Sequence, residues 1–250
     1  MNIIIVFFTR IPDESTSNFQ MFSLTHIISL IIIIAFLTLL LRYGHLLKSL
    51  KYENFIRILF GVSLIFTNIN LWMYSYSLNM EWYHYLPVAT CGYATFLGGL
   101  TLITKNKTLF KLTFFWGFGA LLSLLGPTVM EGPEKYNFYQ FFFRHTGIIA
   151  SAFYMMKVYD YKIVKEDWKF FFYVTFSLTF IMTIINLLVN KPEELNMFYT
   201  MHPAVSGTPL NDLYEVSKWY YMIFWIPFAA FLSYLYGLPF YQKKELLKIE

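Results

Sequence analysis

Seven stretches of this chain are apolar over about the 20 residues that an α-helix needs to cross the hydrocarbon of a bilayer. They run from about 22 to 41, 55 to 77, 84 to 103, 109 to 129, 137 to 158, 169 to 190 and 217 to 239. The runs are continuous rather than alternating, which excludes the strands of a membrane barrel. With 57% hydrophobic and 14% charged residues, the chain has too little polar surface to cover a soluble globule of its size. The expectation is an all-α, multi-pass protein of the cell membrane. No Pro-, Gly- or Ser-rich linker and no internal repeat divides it, so residues 1–250 read as one domain. The apolar run at 3–8 is too short to span, and nothing flanking it reads as a cleavage site.

Basic residues set the expected orientation. Arg42, Lys48, Lys51, Arg57, Lys105, Lys107, Lys111, Lys157, Lys162, Lys165, Lys169, Lys243, Lys244 and Lys248, 14 of the 19, follow the first, third, fifth and last spans. The positive-inside rule then puts the amino terminus outside and the carboxy terminus in the cytoplasm. Cytoplasmic loops facing anionic lipid account for the net charge of +4 without a nucleic-acid partner. One outer segment, Lys191 to Ser217, is unusually long, and a long loop in a compact protein is either functional or disordered. Its aromatic flanks, Phe198, Tyr199, Tyr214, Trp219, Tyr220 and Tyr221, suit a cap at headgroup depth, or equally a solvated loop beside an aromatic belt.

Polar residues recur at one depth. His26, Asn68, Asn70, Cys91, Arg144, His145 and Asn186 each lie five to eight residues in from the outer end of a span, roughly 7 to 12 Å below the surface at 1.5 Å per residue. Polar groups in hydrocarbon must be paired or wetted, so this layer predicts a shared cavity open to the outer leaflet, with the inner halves more uniformly apolar. Each member also has a plainer reading. Cys91, Ala94, Thr95, Gly98 and Gly99 have the spacing and size of a close helix contact, His26 suits a satisfied interfacial histidine, and Arg144 can snorkel.

The chemical reading pairs Cys91 with His145, because a thiol attacks as thiolate and needs a base or cation beside it. Arg144 suits a bidentate clamp on a lipid phosphate. No short His or Cys spacing prepares a metal site, Gly117, Gly119 and Gly126 form no phosphate loop, and no Gly-x-Ser-x-Gly turn is present. Neither metal nor cofactor is expected.

FSLTH at 22–26, YLPVATCGYATFLGGLTLITKN at 85–106, FWG at 115–117 leading to LLGP at 124–127, and FYQFFFRHTG at 138–147 resemble the YwaF-type bacterial integral membrane proteins. The likeness continues through NMFY at 196–199 to DLYEVSKWYY at 212–221. That family is itself similar to a vertebrate transmembrane acyltransferase that remodels ether phospholipids through a cysteine thioester and a histidine. The resemblance implies a seven-helix fold and lipid acyl chemistry. It has two departures: the bacterial pattern has a histidine where this chain has Ala89, and the vertebrate cysteine falls nearer Val88.

The expected function is therefore acyl transfer or ester hydrolysis on a membrane lipid. Cys91 and His145 would be the catalytic pair, Asn68 or Asn70 the oxyanion donors, and His26, Arg144 and Asn186 the other substrate-binding groups. The rival is a non-catalytic lipid-binding or accessory subunit, or a small-molecule transporter. The sequence names no protein partner.

Overall fold

A computed structural model describes residues 19–77, 90–129, 131–190, 196–203 and 209–242. Among these the chain is helical throughout: α1 Leu24–Tyr43, α2 Glu53–Ser77, α3 Thr90–Thr104, α4 Lys107–Leu125, α5 Tyr136–Val158, α6 Lys165–Val189, α7 Pro209–Val216 and α8 Lys218–Gly237. Six of the seven expected runs coincide with a helix over most of their length, and the described part of the 84–103 run, from Thr90 on, is helical. α7 is an additional short helix inside the long outer segment. Val88 and Ala89, like the apolar run at 3–8, lie outside the described residues.

Among the described residues, four segments are both long and apolar enough to cross a membrane: Leu24–Ser49, Lys107–Leu125, Lys165–Val189 and Lys218–Phe240. Their burial pattern is that of a membrane protein. Ile31, Ile32 and Ile34 on α1 and Phe180 and Leu188 on α6 are exposed, an arrangement that water would penalise and lipid does not. Local signals define the ends. Ser23 and Asn106 cap α1 and α4 with their side chains, and Asp167 accepts from the Val164 backbone at the start of α6 while pairing with Lys111 of α4 at 2.6 Å.

α3, α4 and α5 form the centre. α1 and α2 pack on one side of them, and α6 and α8 on the other. The small residues of α3 serve the contact they suggested. A Cβ on Gly99 would lie 2.6 Å from the Gly61 carbonyl of α2, and one on Gly98 would lie 2.8 Å from Ser151 Oγ of α5, so only glycine permits α3 to touch both neighbours this closely.

The helix ends expected to face inward are not uniformly apolar. Glu53 and Arg57, one turn apart on α2, are buried and 3.3 Å apart. Tyr154 and Tyr159 donate to the two Glu53 oxygens at 2.8 Å each. Arg57 donates to Tyr159 Oη at 3.1 Å, to Asn54 Oδ1 at 2.8 Å and to the Leu102 and Ile103 carbonyls. Arg57 had read as a loop cation facing lipid; instead it ties α2 to α3 and α5.

Candidate functional site

Cys91 begins the second position of α3 and is half-buried. The His145 and Arg144 side chains line the same cavity as its thiol, and the Ser123 hydroxyl stands beside it with its Oγ 3.7 Å from Sγ. Thr95, one turn along α3, donates to the Cys91 carbonyl at 2.6 Å and accepts from Arg144 Nε at 3.0 Å. One side chain thus fixes both the cysteine backbone and the arginine.

His145 is buried on α5. Its Nδ1 lies 2.7 Å from the Phe141 carbonyl one turn earlier. A carbonyl only accepts, so Nδ1 carries the proton and Nε2 is left as the basic nitrogen. Packing holds the same orientation, because the Phe141 and His145 rings are 4.2 Å apart.

These groups face a cavity of about 520 Å³ drawn from α3, α4, α5, α8 and the outer segment. Cys91, Ser123, Arg144, His145 and Tyr199 supply polar wall, and Leu122, Phe141, Trp225, Phe228 and Leu232 supply apolar wall. A cavity polar on one side and apolar on the other fits an amphiphile.

Tyr199 comes from the long segment after α6, and the described residues 196–203 of that segment are packed rather than merely solvated. Met197, Phe198 and Thr200 are buried. Asn186 of α6 pins this turn: it donates to the Met197 carbonyl at 3.0 Å and to Thr200 Oγ1 at 2.8 Å, and accepts from the Met197 N–H at 3.0 Å. Tyr221 of α8 donates to the Tyr199 carbonyl at 2.5 Å. Phe198 and Tyr199 both have left-handed backbones, φ 56° and 54°. Such a conformation costs a non-glycine residue on the order of 1–3 kcal/mol and persists only where surroundings enforce it. Burial pushes the Tyr199 phenol up to about 12, with Cys91 adding to the effect and Arg144 opposing it. It therefore stays a hydrogen-bond donor at neutral pH.

The expected cavity gathers Cys91, Arg144 and His145 but not the rest of the layer. His26, fully buried, accepts from the Phe22 N–H at Nδ1 and donates from Nε2 to the Leu124 carbonyl, each at 2.9 Å. Both ring nitrogens are thereby used in tying α1 to α4. Asn68 donates to the Gly92 carbonyl at 3.1 Å, Asn70 Oδ1 accepts from Gln140 at 3.4 Å, and Asn186 holds the outer turn. None of the four lines the cavity. Asn68 bonds the backbone next to Cys91, and Asn186 the turn that carries Tyr199.

Ser123 and Tyr199 are the residues that sequence reasoning missed. A serine in an apolar helix satisfies itself, here by donating to the Gly119 carbonyl at 3.1 Å, and so leaves no mark in the pattern. Its position six residues from the end of the fourth run, level with the other polar residues, was the available signal. Among the described residues no group of three His, Cys, Asp or Glu side chains is arranged to hold a metal ion.

Helices with lipid-exposed apolar faces around a cavity that is polar on one wall define an α-helical membrane protein. The TMEM164 family model matches residues 21–236, and the chain belongs to that family. A protein of Treponema pallidum (strain Nichols) described as uncharacterized is 29% identical over 133 residues, 52% of this chain and 55% of the relative. The chain thus spans about half the length of that relative. No solved structure matches.

Proposed function

We propose that this protein is a single-domain, seven-span protein of the cell membrane, with its amino terminus outside, that transfers or hydrolyses lipid acyl groups through Cys91 and His145. The observation that carries the reading is the shared cavity. A thiol, a histidine whose basic nitrogen is Nε2 and an arginine meet at its polar wall, opposite apolar wall suited to a lipid chain. The resemblance to YwaF-type proteins and their acyltransferase relative points to the same chemistry.

In this mechanism the Cys91 S–H proton passes to His145 Nε2 as Sγ attacks the ester carbonyl carbon. The C–O bond breaks, the leaving alkoxide takes the proton from Nε2, and a thioester remains on Cys91. An acceptor alcohol, or water in hydrolysis, gives its proton to Nε2 and attacks the thioester, and the leaving sulfur recovers that proton. Tyr199, and Ser123 once its one O–H turns from the Gly119 carbonyl, donate to the developing oxyanion, taking the place first expected of Asn68 and Asn70. Arg144 holds the lipid phosphate. His26, Asn68 and Asn186 support the site through the backbone they bind.

The test is incubation of detergent-purified protein with a phospholipid carrying an alkyne-tagged acyl chain, followed by peptide mass spectrometry. Wild type is expected to carry a hydroxylamine-labile acyl group on Cys91, and Cys91→Ser none. His145→Ala should form it about 10²- to 10⁴-fold more slowly, and in overall turnover the double variant should be little worse than Cys91→Ser, since the two act as one unit. An unacylated Cys91 together with full turnover by Cys91→Ser would overturn the mechanism.

A further inference from the structure

A second cavity adjoins the first. It measures about 150 Å³, lies between α4, α6 and α8, and is walled by Phe115, Trp116, Phe171, Phe172, Phe176 and Phe198. The two share Thr90, Gly119, Leu122, Tyr199 and Trp225. They therefore adjoin at these residues, with Cys91 on one side and the aromatic rings on the other.

Gly119 stands at the junction. Phe115, Gly119 and Ser123 follow one another at four-residue intervals and so share one face of α4. Ser123 is the neighbour of the Cys91 sulfur. Phe115 lies in the wall of the aromatic chamber, where it stacks on Phe171 with ring centres 5.0 Å apart. From Ser123 to Phe115 the helix descends about 12 Å. Midway, a Cβ built on Gly119 meets no atom within 4 Å. The glycines used for packing are different: a Cβ on Gly61, Gly98 or Gly99 meets a neighbour at 2.8 Å or less. Gly119 is thus not required by a helix contact, and what its missing side chain leaves is open space between the two cavities.

We propose that Gly119 keeps open a passage through which the substrate's acyl chain runs from the Cys91 cavity into the aromatic chamber, and that this passage sets the chain length the protein accepts. The inference rests on the acyl-transfer reading. With the ester carbonyl at Cys91, an extended chain continues past Gly119, and its distal carbons fill the chamber. A cavity of about 150 Å³ has room for a group the size of benzene, about six carbons. The direction also suits a lipid, because the path leads from the end of α4 near the outer segment toward the middle of the helix.

The experiment compares Gly119→Ala, Gly119→Val and Gly119→Phe with wild type, using octanoyl and palmitoyl phosphatidylcholine as probes. The palmitoyl-to-octanoyl ratio of Cys91 acylation should fall with side-chain size, by about tenfold or more in Gly119→Phe. Native mass spectrometry of the same variants in a Cys91→Ser background reads retained lipid without chemistry, and retention should shift toward shorter chains in the same order. Thermal unfolding of Gly119→Ala and Gly119→Val, whose small side chains enter open space, provides the series should the phenylalanine variant fail to fold. Acylation of Cys91 with an unchanged ratio across the series overturns the passage. A shift in retained chain length without any acylation of Cys91 leaves the passage standing and overturns the acyl-transfer chemistry. Neither shift nor acylation overturns both.

Discussion

The same bundle carries two polar clusters, one near the carboxy-terminal end of α5 and expected to be inner, the other in its amino-terminal half and expected to be outer, and they are built on opposite principles. At the inner end, Glu53 and Arg57 are 8% and 3% exposed, and their charged atoms are met by each other, by Tyr154, Tyr159 and Asn54, and by carbonyls of α3. At the outer end, the Cys91 thiol, the Arg144 guanidinium and the His145 ring form the wall of a cavity of about 520 Å³. Burying a charge pair is costly unless the remaining lone pairs and protons are also bonded, and the inner cluster meets that condition; it is a joint between α2, α3 and α5. The outer cluster directs its groups at a volume large enough for part of a lipid. Intramembrane charge is therefore not by itself the mark of a site. Polar atoms turned toward space are.

That contrast is most exposed to test at Arg57. Arg57→Ala would leave the Glu53 carboxyl buried without its cation, and loss of one partner of a buried pair costs about 3–5 kcal/mol. Unfolding of wild type and variant in one detergent, followed by circular dichroism, measures this. A loss below about 1 kcal/mol would mean that the network is wetted and exchangeable like an exposed pair. His26 comes next in size. His26→Ala removes the partners of the Phe22 N–H and the Leu124 carbonyl, and a buried orphan of this kind costs about 1–3 kcal/mol, so the two together should cost about 3 kcal/mol. A change in lipid affinity at unaltered stability would instead return His26 to the site.

Much of the fold was legible because a membrane imposes length. Runs of about 20 apolar residues can be little other than helices, and α1, α4, α6 and α8 are the clearest cases. Position along each helix could be counted, since each residue adds a fixed rise. Azimuth could not. His26, Asn68 and Asn186 lie at the depth of Cys91 and His145 but point at backbone on neighbouring helices, and with runs apolar all round there is no stripe to say which way a residue faces. Arg57 misled for a related reason: near a helix end, a cation reads as a loop charge. Glu53 exactly one turn before it was the overlooked sign of a pair. Tyr199 could not have been assigned from periodicity at all, because an irregular segment brings it to the cavity.

Tyr199 offers the smallest and sharpest test of the outer cluster. Its ring lines the cavity, and the turn that carries it is held by bonds to its backbone and neighbours rather than to its hydroxyl. Tyr199→Phe should therefore change stability by no more than about 0.5 kcal/mol. If the phenol donates to the oxyanion, its loss removes one neutral hydrogen bond, about 0.5–1.5 kcal/mol, and the acylation rate should fall by up to about tenfold. The loss should appear in kcat rather than in KM, because the bond strengthens as negative charge develops. Since burial holds the phenol up to about 12, the group stays protonated below that value and its donation is lost only as pH rises through it. The ratio of wild-type to Tyr199→Phe rates should therefore be constant from about pH 6 to 9. A ratio that declines toward one across that window would show a phenol titrating near neutrality, and a ratio of one throughout would remove Tyr199 from the chemistry and leave it as wall.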